Sequence, residues 1–182
     1  MTAYISMLRG INVAGHNQIK MPALRELFEA LGFEQVQTYI QSGNVVFNAG
    51  RSSTLQISKN IAERIAKEFG IRAPVVTRTS AEMGSMIKSN PFLKTKAIDP
   101  AKLHVTFLTD APEPAALRKL GEVAAGADEF RSCGREIYLY CPNGYGNTKL
   151  SNNTLEKILG SPATTRNWNT VNKLYEMSLQ GE

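Results

Sequence analysis

Segments from the first half of this chain return in the second half, in the same order. Pro22-Ala-Leu-Arg-Glu-Leu reappears as Pro114-Ala-Ala-Leu-Arg-Lys-Leu. Tyr39-Ile-Gln-Ser-Gly-Asn-Val-Val-Phe is matched by Phe130-Arg-Ser-Cys-Gly-Arg-Glu-Ile-Tyr-Leu-Tyr. Thr77-Arg78 is matched by Thr165-Arg166, each pair standing ahead of a helix-like run. The offsets drift from 93 (Arg25 to Arg118) through 91 (Gly43 to Gly134) to 88 (Arg78 to Arg166). Ordered matches at a nearly constant spacing mark a duplicated unit of about 90 residues, so fold and site are read half by half.

Within the first half, residues 3–8 are apolar and β-rich, and 9–20 form a polar loop. Pro22 suits the first turn of a helix. Leu24, Leu27, Phe28 and Leu31 follow at helical spacing up to Gly32. Strands 36–40 and 45–48 flank Gln41-Ser42-Gly43-Asn44, a hairpin in which glycine supplies the unusual φ. Ile57, Ile61, Ile65 and Phe69 make a second helical stripe closed by Gly70. Residues 73–78 read as a strand, and Thr79-Ser80-Ala81-Glu82 as a capping box opening a third helix. After a polar joint at 90–100 with two prolines, the order resumes. Strand 103–108, helix 114–125, hairpin 129–132 and 136–141, helix 150–159, strand 163–166 and helix 170–179 follow.

Each half therefore runs β-α-β-β-α-β with one extra helix, the split β-α-β order. The expected class is α+β: a duplicated ferredoxin-like α/β plait with antiparallel sheets, its halves at 1–90 and 101–182. A cleft between the halves is the default position for a site.

The net charge is +5, with basic residues spread along the chain rather than gathered in a tail. That pattern argues against a polybasic membrane anchor, and the mild basicity reads either as an ordinary soluble surface or as the mark of an anionic partner: nucleic acid, a nucleotide or a phosphorylated metabolite. No apolar run is long enough to span a bilayer, and the N-terminus lacks the basic region and apolar core of a signal peptide. Cys133 and Cys141 lie on the two arms of one hairpin, out of register for a cross-strand pair. No CxxC or Cys/His spacing suggests a metal, so they read as reduced thiols of a cytoplasmic protein. No partner membrane and no cofactor are expected; the oligomeric state is not legible.

Three stretches carry unusual polar density. The first is the loop from Arg9 to Lys20, whose glycines and position before a helix suit close approach to an anion, with Arg9 and Lys20 as cations. Its spacing is neither GxGxxG nor a P-loop. It also reads as a long connection capped by its own Asn side chains. The second is Gln41-Ser42-Gly43-Asn44, which reads equally well as a plain turn. The third combines Asn143-Gly144-Tyr145-Gly146-Asn147-Thr148-Lys149 with Thr164-Thr165-Arg166-Asn167-Trp168-Asn169, placing Arg166 at a strand end and Asn169 at a helix N-cap. Trp168 either packs the last helix on the sheet or stacks on a ring. Carboxylates are sparse throughout, which argues against paired acid–base catalysis and hard-metal sites. The groups present bind phosphate, carboxylate or amide.

The expectation is an anionic ligand, nucleic acid or nucleotide, held in the cleft by Arg9, Lys20, Asn44, Lys149 and Arg166. The alternative is an enzyme acting on a small phosphorylated or carboxylated substrate, with His16 as acid–base and Ser42 as nucleophile or ligand donor. His104, inside an apolar strand, reads as a satisfied core or face residue.

The same stretches carry a family resemblance. Leu8-Arg-Gly-Ile-Asn-Val-Ala-Gly, Tyr39-Ile-Gln-Ser-Gly-Asn-Val-Val-Phe and Ala163-Thr-Thr-Arg-Asn-Trp-Asn-Thr-Val resemble the signatures of a bacterial family called domain of unknown function 1697. The resemblance spans nearly the whole chain. It implies a duplicated plait and a cytoplasmic protein, and carries no established reaction. The matching motif positions are Arg9, Gly10, Asn12, Ser42, Gly43, Asn44, Arg166, Asn167 and Trp168. Where the family tends to Val-Gly-Gly, this chain has Val13-Ala14-Gly15.

Overall fold

The computed structural model describes residues 1–180 apart from Lys96 and Ala125. The first half contains β1 (Thr2–Leu8), α1 (Met21–Ala30), β2 (Glu34–Tyr39), β3 (Asn44–Ala49), α2 (Thr54–Phe69), β4 (Val75–Thr79) and α3 (Ser80–Lys88). The second contains β5 (Leu103–Leu108), α4 (Pro114–Val123), β6 (Glu129–Cys133), β7 (Glu136–Tyr140), α5 (Asn152–Leu159), β8 (Ala163–Asn167) and α6 (Trp168–Leu179). The sheets have the orders β2-β3-β1-β4 and β6-β7-β5-β8, antiparallel throughout. This is the split β-α-β topology, twice. The helix expected at 114–125 ends at Val123, and Ala125 lies outside the described residues.

Strand alternation explains the layers. Tyr4 and Leu8 of β1 join Val45, Phe47 and Val75 in a core with Leu24, Phe28, Ile57 and Ile61 from α1 and α2. Phe47 stacks on Phe33 at 4.5 Å between centroids and meets Phe28 edge-on at 5.2 Å. Ile5, Met7, Val46 and Val76, which alternate onto the opposite face, are buried too. Strands buried on both faces read as continuous apolar runs, which is why 3–8 shows little alternation.

The duplication is visible at atomic detail. In the first unit Thr77 shares hydrogen bonds with Ser6 (2.7 Å) and with Ser58 of α2 (2.8 Å). In the second, Thr165 does the same with Thr106 (2.7 Å) and with Asn152 of α5 (2.7 Å). Arg78 and Arg166 each donate from Nη1 to the carbonyl of the preceding threonine at 3.0 Å. The hairpins depart from the sequence match by one residue in the second strand and by three in the first. Tyr39 pairs with Asn44 across a four-residue turn, whereas Cys133 pairs with Glu136 across Gly134-Arg135. Asn44 therefore corresponds to Glu136, since both oppose the same position of the central strand, Met7 and Phe107.

Two compact units divide the chain: one holds Met1–Ser85 with the residues from Lys173 on, the other Met86–Asn172. The sequence halves 1–90 and 101–182 follow the repeat; the compact units follow the packing, and cut α3 and α6. Within the first unit, the Ser80 and Ser178 hydroxyls lie 2.8 Å apart, and a Cβ on Gly84 would come 2.7 Å from the Tyr175 hydroxyl. Within the second, the Tyr138 hydroxyl donates to the Met86 carbonyl at 2.8 Å. Both cysteines are free; Cys133 is exposed, and burial pushes the Cys141 thiol up to about 11. Among the described residues no helix is long and apolar enough to cross a membrane.

Candidate functional site

In the first unit the loop 9–20 and the hairpin turn 40–43 are fastened to one another. The Leu8 N–H donates to the Gly43 carbonyl at 2.9 Å. Asn12 donates from Nδ2 to the carbonyls of Ile19 (3.0 Å) and Gln41 (2.8 Å), and its Oδ1 accepts from the Ile19 N–H (2.8 Å). Asn17 donates to the Gly10 carbonyl at 3.0 Å. The loop is compact because Gly10, Asn12, Ala14, Gly15 and Asn17 all take positive φ. Ala14 sits at φ 48, a conformation that favours glycine.

Several site residues expected from sequence serve this scaffold. The Asn44 amide is buried and donates to the Tyr39 carbonyl (3.1 Å) and the Ser42 hydroxyl (2.9 Å). Gly43 packs on Ile11 and Leu8. Asn12 uses both ends of its amide on backbone. His16 is exposed at the loop tip, its N–H donating to the Val13 carbonyl at 2.9 Å. Arg9 is half-buried, with its N–H on the Pro74 carbonyl at 2.9 Å.

Between loop and hairpin lies a pocket of about 330 Å³ lined by Asn12, Gln18, Ile19, Lys20 and Gln41. Lys20 is the N-cap residue of α1, and no side chain caps that helix. The N-terminus of α1 thus keeps its partial positive charge beside a lysine. No Asp or Glu occurs from Met1 to Arg25 or from Gln35 to Ala62, the stretches that supply both walls.

The second unit provides an internal control. It joins β5 to α4 with residues 109–113 alone, and its N-cap residue there is Glu113, with Asp110 nearby. Closing the β-α connection therefore requires neither the length of 9–20 nor a cation. Gln18 and Gln41 were not singled out by sequence motifs as ligand groups. Aligning the two connections, long and acid-free against short and acidic, is the signal that finds them.

Lys149, Arg166, Asn167 and Trp168 belong to the second unit. Lys149 is exposed. The Gly-rich loop is closed on itself: Asn147 donates to the Asn143 carbonyl, Thr148 donates to Asp128 at 2.6 Å, and Ser151 caps α5. Burial lowers the Arg166 guanidinium to about 10, with Tyr145 acting in the opposite sense. The cap of α6 is Asn167, which accepts from the Thr170 N–H at 2.8 Å, rather than Asn169. Trp168 is buried in the first turn of that helix. His104 is half-buried and stacks on Tyr145 at 4.9 Å. Contrary to expectation it is not fully satisfied, because among the described residues its Nδ1 has no hydrogen-bond partner. Of the aromatics of the second sheet that alternate away from its helices, Phe107 and Tyr138 are buried, while Tyr140 is half-buried beside Phe92.

Fold and loop together define a duplicated split β-α-β protein with one elaborated β-α connection. The chain belongs to the family described as protein of unknown function DUF1697, whose model matches residues 1–138. It is similar to the solved structure of conserved bacterial protein SP0830 from Streptococcus pneumoniae, at 22% identity and a TM-score of 0.71, covering 97% of this chain and 98% of that one. At that identity the likeness is one of fold. No curated protein matches the chain.

Proposed function

We propose that the protein binds a small anionic ligand, a nucleotide or another phosphate- or carboxylate-bearing molecule, in the pocket between loop 9–20 and the hairpin turn. The observation that carries this reading is the asymmetry of the duplication. At the same place in the two units, one has a long acid-free connection ending in Lys20 and the other a short connection ending in Glu113, while neither of the helices that follow has a side-chain cap. Lys20 supplies charge, the free N–H groups of the first turn of α1 supply donors, and the amides of Gln18 and Gln41 supply orientation. The pocket is at the lower end of the range for small-molecule sites, which favours a nucleotide-sized ligand over an extended strand.

The test is a thermal-shift screen followed by calorimetric titration, with inorganic phosphate, nucleotides and short oligonucleotides at two salt concentrations. A ligand present at 100 times its Kd stabilises the native state by about 2.7 kcal/mol. Affinity should fall with salt and be lost in Lys20→Gln. A screen in which no anion raises the melting temperature, or a Lys20→Gln protein that binds like the parent, would refute the reading.

A further inference from the structure

We propose that Asn12 is the specificity-determining residue of this pocket: it fits the pocket to an oxyanion by covering the backbone carbonyls of its walls. This rests on the anion-binding reading above. A wall built of main chain presents carbonyl oxygens, whose partial negative charge favours cations and repels anions. Ile19 and Gln41 both line the pocket, and the Asn12 Nδ2 donates to both of their carbonyls, at 3.0 and 2.8 Å. The amide cannot be turned the other way, because its Oδ1 accepts from the Ile19 N–H at 2.8 Å. One side chain thus covers both oxygens with its donor end, and Lys20 is the charged group of the lining.

The fold does not require that bridge. In each unit a backbone hydrogen bond ties the hairpin turn to the end of the central strand. The Leu8 N–H donates to the Gly43 carbonyl and the Leu108 N–H to the Arg135 carbonyl, both at 2.9 Å. The second unit achieves this with a connection, 109–113, that contains no Asn or Gln. Nor does the backbone demand Asn at position 12. Its φ of 53 suits Gly, and Asp tolerates it as Asn does. Gly would leave the two carbonyls bare, and Asp would set a carboxylate against them. Of the residues that suit this backbone, Asn is the one that brings the donor.

The experiment is calorimetric titration of the full chain and its variants with inorganic sulfate, at low and high sodium chloride and below every melting temperature. Asn12→Gly should weaken sulfate binding at least about threefold. Asn12→Asp should weaken it at least about tenfold further at low salt. That extra loss should shrink as salt rises, because it comes from charge; a loosened loop would not show such a dependence. Asn17→Asp is the matched control. Asn17 stands in the same loop at φ 50, donates to the Gly10 carbonyl at 3.0 Å and lies outside the lining. It receives the same new charge, yet should weaken sulfate less than about threefold. Three results would overturn the role of Asn12: Asn12 variants that bind like the parent, an Asn17→Asp loss as large as that of Asn12→Asp, or Asn12 variants that no longer fold. With any of these, loss of binding in Lys20→Gln would leave the anion site standing. A parent chain that binds no sulfate would overturn both readings.

Discussion

Alanine at position 43 tests how firmly the hairpin holds the loop. Its Cβ would lie 2.6 Å from Ile11 Cδ1 and 2.9 Å from both Ile11 Cγ1 and Leu8 Cβ. Ile11 is 1% exposed and cannot swing into solvent, and Leu8 Cβ is fixed to the backbone of a central strand. Relief must then come from moving the loop. Overpacking of this kind costs about 1–3 kcal/mol. The backbone adds to it, because φ is +79 at this residue and an L side chain there costs about 1–2 kcal/mol. Gly43→Ala should therefore destabilise by about 2–5 kcal/mol in urea unfolding, a large share of a domain's stability. Ile11→Ala alone creates a cavity, at about 2–5 kcal/mol. In the double variant the new methyl occupies part of that cavity, so the combined loss should fall short of the sum by at least about 1 kcal/mol. A Gly43→Ala protein within about 0.5 kcal/mol of the parent, or strict additivity with Ile11→Ala, would refute the close packing of turn on loop.

The remaining predictions concern the duplicated interior. Thr77→Val should cost about 2–4 kcal/mol by the same assay, since it strips both Ser6 and Ser58 of a buried partner. Thr165→Val should cost less, because Thr165 and Asn152 are only half-buried and the amide can turn to water. Burial lowers the His104 imidazole below its ordinary 6.5, with its Lys102 backbone hydrogen bond opposing. A depressed folded value means that the unfolded chain takes up the proton first. The contribution is thus complete above about pH 6.5 and lost as the pH falls below it toward the folded value. His104→Gln should flatten this part of the stability–pH curve between pH 7.5 and 5; an unchanged slope would show that His104 does not titrate there.

The order of elements was legible because each half repeats the same stripes. Ile57, Ile61 and Ile65 fix α2, and Gly70 ends it in the left-handed conformation that only glycine takes readily. The capping box also held: the Glu82 N–H donates to Thr79 Oγ1 at 3.1 Å, and the Thr79 N–H to the Glu82 carboxylate at 2.8 Å. The hairpin match slipped, by different amounts in its two strands, because turn length is not encoded in the residues that flank it. The first turn accommodates the extra residues with positive φ at Ile40 and Gly43. Asn167 and Asn169 are equally good caps by composition. The register of β8, in which Asn167 opposes His104, decides between them. The pocket depends on Asn12 reaching Gln41, a pairing across 29 positions of sequence that local patterns do not reveal.

The assignment of the residues from Lys173 on to the first compact unit has a consequence for synthesis. The four strands of that unit are complete at Thr79, yet Ser178, which lies against Ser80, leaves the ribosome 98 residues after its partner, and Tyr175 follows Gly84 in the same way. Translation at about 5–20 residues per second leaves the earlier part waiting for several seconds with that surface uncovered. The earlier-made part of this unit is therefore open to chaperones and proteases until the later part arrives. A stop shortly before Lys173 would strip Tyr175 and Ser178 from a unit whose four strands had already been made.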